Sequence, residues 1–229
     1  MSDPADDLRL AVFGDVHGNV AALDAVLDGI RAVGITRGVC TGDLVLRGRE
    51  PEACVSRIAL LGWPCVRGNT DDKVASRAPR PRSHPASARV GSRSWTAHRL
   101  SDASLTYLQA LPREIRLRVG SYEVLVVHGT PDDPTEVLVG EATPQERLIA
   151  LATALGADCV VTGHTHRALV REAAGCVFVN PGSAGESVGD DHRPSWAVLE
   201  AGPAGVTATL MRADAPSAAP RSGSRTRSR

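Results

Sequence analysis

The chain has 229 residues, of which 42% are hydrophobic and only 3% aromatic, and its formal net charge is zero. A length below roughly 250 residues fits one domain, and this composition is typical of a globular protein with a core of aliphatic side chains. The low aromatic content argues against a base-stacking surface, and the zero net charge argues against an electrostatic field that attracts DNA or anionic membranes. We therefore expect no specific nucleic-acid partner and no membrane partner.

The N-terminal residues 1–7 are acidic, and no segment approaches the roughly 18 apolar residues that a membrane helix needs. We therefore predict a cytoplasmic protein without a signal peptide. The cysteines are odd in number, lack CxxC spacing and lie in or beside apolar runs, which indicates reduced core residues. They are Cys40, Cys54, Cys65, Cys159 and Cys176.

The first half of the chain alternates short apolar runs with amphipathic segments. The pattern predicts strands at residues 8–13, 39–41 and 64–66, and helices at residues 19–33 and 51–61. In the first helix four apolar side chains share one face, Asn19 can cap the start and Gly34 can close the end. Strands that alternate with helices indicate a parallel sheet.

The second half is mostly strand. Residues 75–94 are rich in Arg, Pro and Ser without apolar periodicity, which predicts a surface loop that shapes access to a site. Helices are predicted at residues 101–111 and 144–155, the second with a capping box that starts at Thr143, and strands at residues 115–119, 123–127, 159–162, 168–172, 176–179, 196–199 and 206–210. Two mixed sheets packed face to face, with helices outside, accommodate both halves.

The domain is predicted to span residues 8–212. Residues 1–7 and the tail at residues 213–229, which is rich in Ala, Pro, Ser and Arg, have little to bury and are predicted to be disordered.

Five apolar strands stop abruptly at a small residue next to Asp, Asn or His. Strand ends followed by tight turns bring side chains to one edge of a sheet, where α/β folds place their sites. Imidazole nitrogen and carboxylate oxygen are donors that divalent ions accept. Seven donors are too many for one ion but suit two ions that share a carboxylate. The candidate metal ligands are Asp15, His17, Asp43, Asn69, His128, His164 and His166.

In chain order the segments read Asp-x-His, Gly-Asp-x-x-x-Arg-Gly, Gly-Asn-x-Asp, His-Gly and Gly-His-Thr-His. This order resembles the calcineurin-like metallophosphoesterase superfamily, and most of all its small bacterial and archaeal phosphodiesterase branch, over residues 8 to about 211. The resemblance implies an α/β fold, a four-layer α/β/β/α sandwich of two mixed sheets flanked by helices. It also implies that the first ion is bound by Asp15, His17 and His166, the second by Asn69, His128 and His164, and both by the bridging carboxylate of Asp43.

The implied activity is hydrolysis of a phosphodiester or nucleotide phosphate bond. A hydroxide that bridges the two ions would attack phosphorus in line, with Mn²⁺ as the favoured metal and Fe, Zn or Ni as alternatives. The catalytic candidates are Asp43 and Arg47, whose guanidinium could hold a phosphate oxygen or simply lie at the surface. The expected partner is a small phosphorylated substrate or a nucleotide.

Two departures from the family pattern affect the chemistry. Leu46 stands where the family has a second acidic residue, so ionic support for Arg47 must come from elsewhere. Thr70 stands where many members have the histidine that protonates the leaving group, and threonine is no acid at neutral pH. Either water protonates the leaving group or the leaving group is acidic enough to need little help. Asp71 and Asp72 are expected to form a solvated turn rather than to support the ligands.

Two other functions stay open at this stage: a non-catalytic scaffold subunit on the same fold, and a nucleotide-binding regulatory module. Fold alone does not decide between them, but the complete ligand set favours the enzyme. The turn at residues 180–183 is expected to pack beside the site, and His84, His98 and His192 are interpreted as surface or structural residues. The sequence does not reveal the substrate or the oligomeric state.

Overall fold

A computed structural model describes residues 8–76, 88–188 and 191–214. The strands in these ranges are β1 (Arg9–Phe13), β2 (Gly38–Cys40), β3 (Glu114–Val119), β4 (Tyr122–Val127), β5 (Cys159–Val161), β6 (Ala168–Ala173), β7 (Cys176–Pro181), β8 (Ser195–Gly202) and β9 (Gly205–Arg212). The helices are α1 (Val20–Ala32), α2 (Pro51–Leu61), α3 (Asn69–Ala75), α4 (Arg93–Arg99), α5 (Asp102–Ala110) and α6 (Gln145–Leu155). Within the described ranges, every helix is too short or too polar to span a lipid bilayer.

The strands form two mixed sheets. The first sheet has the order β2-β1-β8-β9, in which β1 and β2 are parallel and the other neighbours antiparallel. The second has the order β3-β4-β5-β7-β6, in which β4, β5 and β7 are parallel. The parallel pairs bring the carboxyl ends of several strands to a common edge of each sheet, as the sequence predicts.

Side-chain alternation along the strands creates the layers. On β1, Leu10 and Val12 pack into a core shared by both sheets, whereas Ala11 and Phe13 pack against the helical layer of α1 and α2. On β4 the same alternation separates that shared core from the layer beneath α6. Because successive strand residues point to opposite faces, each sheet is covered on both sides. The predicted four-layer α/β/β/α sandwich is therefore confirmed.

The ends of α1 follow their sequence signals. The Asn19 side chain accepts a hydrogen bond from Ala22 N at 3.2 Å, and Gly34 follows the helix with φ of 71°. The predicted capping box of α6 is wrong. Pro144 is the N-cap without a side-chain bond, and the Thr143 hydroxyl accepts from Gly140 N instead, so it closes a local turn.

The segment between β2 and β3 departs most from the prediction. The strand expected at residues 64–66 is reduced to one parallel bridge between Cys40 and Cys65. The chain then enters α3, which, like α4, is a seven-residue helix that the sequence did not predict. Both helices are too short to show a clear apolar period. Residues 77–87 of the predicted loop, which include His84, lie outside the described residues. The same is true of residues 1–7 and 215–229, which belong to the two termini that the sequence predicts to be disordered.

The cysteines behave as the sequence predicts. All five are buried and unpaired. Burial raises the pKa of the Cys54 thiol to about 12, which keeps that thiol neutral and unreactive.

Candidate metal centre

The seven candidate ligands converge at the edge where parallel strands of both sheets end. Asp15 and His17 follow β1, Asp43 follows β2, and Asn69 opens α3 after the short bridge. His128 directly follows β4, and the segment with His164 and His166 follows β5. The site therefore lies across the seam between the sheets, and residues far apart in sequence meet there.

One group of donors is formed by Asp15, His17 and His166. Nε2 of His166 lies 2.9 Å from Nε2 of His17 and 3.2 Å from Oδ1 of Asp15. One ligand atom from each of the three residues lies within 4.8 Å of the others, and all three residues are buried. This arrangement can hold a cation.

A second group is formed by Asn69, His128 and His164. Oδ1 of Asn69 lies 3.0 Å from Nε2 of His128 and 3.1 Å from Nδ1 of His164. His128 also forms a group with Asp15 and Asp43, in which one ligand atom from each residue lies within 4.8 Å of the others.

The carboxylate of Asp43 lies between the two groups. Its Oδ2 is 3.6 Å from Nε2 of His17, and its Oδ1 is 3.4 Å from Nε2 of His128. The backbone N–H of Thr70 donates to Oδ1 at 2.8 Å and fixes the carboxylate plane. Oδ2 also lies 3.3 Å from the amide of Asn69, so the carboxylate as a whole lies between the two groups, as a bridging ligand would.

The backbone at the ligands is strained. Asp15, His17, Asp43, His164 and His166 all have positive φ, between 49° and 69°. Non-glycine residues avoid this left-handed region, at a cost of roughly 1–2 kcal/mol each. Strain of this kind persists where the surrounding structure holds it in place, and it concentrates at functional sites.

Glycines beside the ligands allow their close approach. A Cβ added at Gly68 would lie 2.1 Å from Oδ1 of Asp43, and one added at Gly163 would lie 2.9 Å from Oδ2 of Asp15. The small residues at these strand ends therefore make room for ligand side chains.

Backbone carbonyls orient two of the imidazoles. Nδ1 of His128 donates to Thr41 O at 2.7 Å, and Nδ1 of His166 donates to Glu186 O at 3.0 Å. Because a carbonyl can only accept, the proton belongs on Nδ1 and the lone pair of Nε2 faces the site. This is how metal-binding histidines are usually held.

In the centre, burial and neighbouring charges shift the pKa values of the candidate ligands. Burial raises the pKa of Asp15, but the neighbouring imidazoles outweigh it and the net pKa is lowered. Burial lowers the pKa of His17 and His164, and in both cases the net shift is downward.

Burial also lowers the pKa of His128, but the charges of Asp43 and Asp15 and the hydrogen bond to Thr41 together outweigh it and raise the net value. Burial lowers the pKa of His166 as well, but its hydrogen bond to Asp15 and the charge of Asp15 together outweigh it and raise the net value. A bound cation would require these imidazoles to be neutral.

The donor set fits a divalent cation. With its oxygen turned into the site, the amide of Asn69 lies 3.3 Å from Oδ2 of Asp43 and close to two imidazole nitrogens. Oδ1 of Asp15 is buried without a hydrogen bond of good geometry. Acceptors that face one another inside a protein are costly unless a positive charge lies between them.

The expectation that Asp71 lies in a solvated turn is wrong. Its side chain is fully buried and accepts hydrogen bonds from the backbone N–H groups of Asp43, Leu44 and Gly68, at 2.8, 2.9 and 3.0 Å. Burial and the charge of Asp43 raise its pKa to about 7. Asp71 therefore ties the loop after β2 to the start of α3. Asp72, by contrast, is partly exposed and forms surface ion pairs.

Arg47 lies at one margin of the centre. Its side chain is half exposed, and its guanidinium pairs with Oε2 of Glu186 at 2.5 Å. Glu186 therefore supplies the ionic support that Leu46 cannot give. Together with His17, these side chains line a cavity of about 240 Å³.

Thr70 is buried beside Asp43. Its hydroxyl donates to Val45 O at 3.0 Å, and its N–H holds Asp43. Thr70 thus positions the carboxylate.

The turn before β8 packs against the centre, as the sequence predicts. The Ser183 hydroxyl donates to Asp15 O at 2.7 Å, and the side chain of Asn180 donates to Gly163 O at 2.6 Å. His98 is half buried, and His192 is exposed.

Sequence reasoning missed Asp71 and Glu186 as parts of this site. Asp71 lay in a Gly-Asn-x-Asp segment, whose match to the family pattern was the available signal. Glu186 had no such signal, because it pairs with Arg47, which lies 139 positions earlier in the sequence.

Comparison with known proteins agrees with this geometry. A protein-family description, the calcineurin-like phosphoesterase superfamily domain, matches residues 8–202. An uncharacterized protein of Methanocaldococcus jannaschii is 26% identical over 210 residues, which are 83% of this chain and 82% of that one.

Two solved structures are also similar. A metallophosphoesterase from Sphaerobacter thermophilus is 29% identical with a TM-score of 0.70, and the match covers 91% of this chain and 89% of that one. A hypothetical protein from Pyrococcus horikoshii shares the fold, with a TM-score of 0.76, 20% identity and coverage of 90% and 88%. The family match, the shared fold and the candidate metal ligands lead to one conclusion: the chain belongs to the calcineurin-like phosphoesterase superfamily.

Proposed function

We propose that this protein is a dinuclear metal-dependent phosphoesterase that hydrolyses phosphodiester or nucleotide phosphate bonds by in-line displacement. The observation that carries the proposal is the carboxylate of Asp43, which lies between two groups of donors and is close to members of both. One group is Asp15, His17 and His166, and the other is Asn69, His128 and His164.

Two divalent cations held there would supply positive charge to the phosphate oxygens and lower the pKa of a water molecule. We propose Mn²⁺ as the metal, with Fe, Zn or Ni as alternatives, because nitrogen and oxygen donors accept all four and availability often decides. Backbone and side-chain groups of the protein position the ligands and the substrate. Thr70 N–H and the carbonyls of Thr41 and Glu186 hold the ligands in place, and Arg47 at the margin can hold a phosphate oxygen with its planar guanidinium.

The preference for an acidic leaving group follows from Thr70. Its hydroxyl is committed to Val45 O, and its pKa is far too high for proton donation at neutral pH. A nitrophenolate or a phosphate leaving group departs without a proton, whereas a simple alkoxide does not. We therefore expect activated phosphodiesters to be better substrates than alkyl phosphate monoesters.

The test is hydrolysis of bis-p-nitrophenyl phosphate by protein that has been stripped with EDTA and reloaded with Mn²⁺, Zn²⁺, Fe²⁺ or Ni²⁺. We expect turnover that depends on added metal and that exceeds turnover of an alkyl monoester such as glycerol 2-phosphate. Absence of activity with every metal would favour the alternative, a non-catalytic scaffold on the same fold. Nucleotide binding that survives chelation without turnover would favour a regulatory module.

A further inference from the structure

A second cavity adjoins the centre on the side of Asn69. Its volume is about 370 Å³, and it is lined by one face of α3, the start of α4 and the loop at residues 132–135. Asn69 and Lys73 of α3 and its C-cap residue Ser76 follow one another at helical spacing and form one wall, and Arg93 and Arg113 contribute further cations. The side chain of Asn69 is thus a common wall of the metal centre and of this cavity.

Two of the cations, Lys73 and Arg93, have no counter-ion among the residues that the structure describes. No carboxylate in those ranges lies within 4 Å of either side chain, and the guanidinium of Arg93 donates to the Ser76 hydroxyl at 3.3 Å. Arg113 differs, because it pairs with Asp72 at 2.9 Å. Exposed cations that line a concave surface beside a phosphoesterase centre are suited to an anionic group of a ligand.

Three carboxylates line the cavity: Asp132, which is exposed, and Asp72 and Asp133, which are bound by other groups. Asp72 is shared by Arg67 and Arg113, at 3.2 and 2.9 Å. Asp133 accepts from both the N–H and the hydroxyl of Thr135 at 2.7 Å, which lowers its pKa and turns its charge toward its own loop. Neither of these carboxylates neutralises Lys73 or Arg93.

The amide of Asn69 links Lys73 to the metal centre. When the Asn69 oxygen faces the imidazoles, its amide nitrogen lies 3.0 Å from Nζ of Lys73. Both of these nitrogens are hydrogen-bond donors, so they cannot bond to each other. When the amide is turned over, its oxygen accepts from Lys73 instead. A metal ligand must present the oxygen, so metal binding leaves the ammonium in need of another acceptor. A phosphate oxygen in the cavity would provide one.

We propose that this cavity is a subsite for a second phosphate of the substrate, held by Lys73 and Arg93. The preferred substrates are therefore phosphate esters that carry another phosphate group beyond the scissile one. This inference rests on the proposed phosphoesterase function, because it assigns the scissile phosphate to the adjoining metal centre.

The kinetic test uses two chromogenic diesters that differ by one phosphate. These are the p-nitrophenyl ester of thymidine 5′-phosphate and the same ester with an added 3′-phosphate. We expect the 3′-phosphate to lower KM by about ten-fold, the effect of one charge-assisted contact. Lys73→Gln and Arg93→Gln should abolish this advantage, and Lys73→Arg should retain most of it.

The matched control is Arg147→Gln, an exposed arginine on α6 away from the cavity, which should keep the full ten-fold advantage. An equal KM for the two diesters in the native protein, or an advantage that survives Lys73→Gln and Arg93→Gln, overturns the subsite.

A binding test separates this failure from failure of the proposed function. Calorimetry compares thymidine 3′,5′-bisphosphate with thymidine 5′-monophosphate, with and without Mn²⁺. Tighter binding of the bisphosphate that is lost in Lys73→Gln supports the subsite even if no substrate turns over. If bis-p-nitrophenyl phosphate is hydrolysed but the two nucleotides bind equally, the subsite is wrong and the enzyme assignment stands.

Discussion

The two sheets contribute different chemistry to one centre. The loops that follow strands of the first sheet provide oxygen donors, Asp15, Asp43 and Asn69, together with one imidazole, His17. The ends of β4 and β5 in the second sheet provide only imidazoles, His128, His164 and His166. We call these the oxygen half and the imidazole half.

The halves are held in different ways. In the oxygen half, buried Asp71 fixes the loop after β2 through backbone N–H groups. In the imidazole half, ring orientation depends on carbonyls that belong to other elements: His128 bonds to Thr41 O, just after β2, and His166 bonds to Glu186 O, in the loop before β8. The orientation of His128 therefore depends on the loop after β2, which belongs to the oxygen half, so damage to the oxygen half should also disturb the imidazole half.

The largest effect is expected from Asp43→Asn, which removes the side chain that faces both donor groups. An amide offers one neutral oxygen, so at most one group keeps this ligand. Since loss of residues that merely support metal ligands costs 10–100-fold, we expect turnover to fall by roughly 100-fold or more. We also expect metal content to fall from two ions per chain to one or none, as measured by elemental analysis after dialysis.

Asp28→Asn is the control for this variant, because Asp28 forms only an exposed pair with Arg31 on α1. It should retain native turnover and metal content. Two tightly held ions in Asp43→Asn would contradict the bridging role.

The next effect is expected from Asp71→Asn, which tests how the oxygen half is held. One carboxylate oxygen accepts from Asp43 and Gly68 and the other from Leu44, so an amide must turn its NH₂ toward a backbone N–H. We expect the free energy of unfolding, measured by urea denaturation of the metal-free protein, to fall by about 2 kcal/mol. Mn²⁺ affinity should weaken by roughly 10-fold or more.

Asp72→Asn is the neighbouring control. Its carboxylate pairs with Arg67 and Arg113 near the surface, and such pairs contribute about 0–1 kcal/mol. If Asp71→Asn and Asp72→Asn lowered the free energy of unfolding and the Mn²⁺ affinity equally, the buried hydrogen bonds of Asp71 would matter no more than the surface ion pairs of Asp72.

The smallest effect is expected outside both halves, at Glu52 on α2. Burial raises its pKa, but hydrogen bonds from Ser101 and Ser104 at the start of α5 outweigh it, so the folded value lies below the ordinary 4.5. Its contribution to stability is therefore present above about pH 4.5 and lost as the pH falls through the folded value. Glu52→Gln should cost about 1 kcal/mol at pH 7 and progressively less in acid, by urea denaturation.

Metal content of Glu52→Gln should stay native, which separates modest destabilisation from damage to the centre. Glu141→Gln replaces an exposed glutamate and should leave the free energy of unfolding almost unchanged at pH 7 and below pH 4. A stability difference between Glu52→Gln and the native protein that stays constant from pH 7 to below pH 4 would contradict the assigned charge effect.

The sequence predicted most of the fold because the strands are apolar runs bounded by turn residues and α1 and α2 carry their own capping signals. It failed at α3 and α4, which are too short for periodicity, and at α6, where Thr143 bonds Gly140 rather than the helix. Short sequence patterns do not predict helices and helix ends that tertiary contacts stabilise.

At the centre, the sequence predicted the residues that lie at strand ends, because motif order carries them. It could not predict burial of Asp71 beneath the loop of Asp43, or the pairing of Glu186 with Arg47 across the fold. It also gave no sign that an alanine-sized side chain at Gly68 would collide with Asp43. Each of these depends on how loops from distant segments pack together.

The central claim is that Asp43 is shared by two cations, each held by its own group of donors. The most direct measurement is an anomalous difference map from crystals grown with Mn²⁺. The account predicts two peaks, one on each side of the Asp43 carboxylate, near His17 and near His128. A single peak that Asp43 does not touch, or no peak at saturating Mn²⁺, would contradict it.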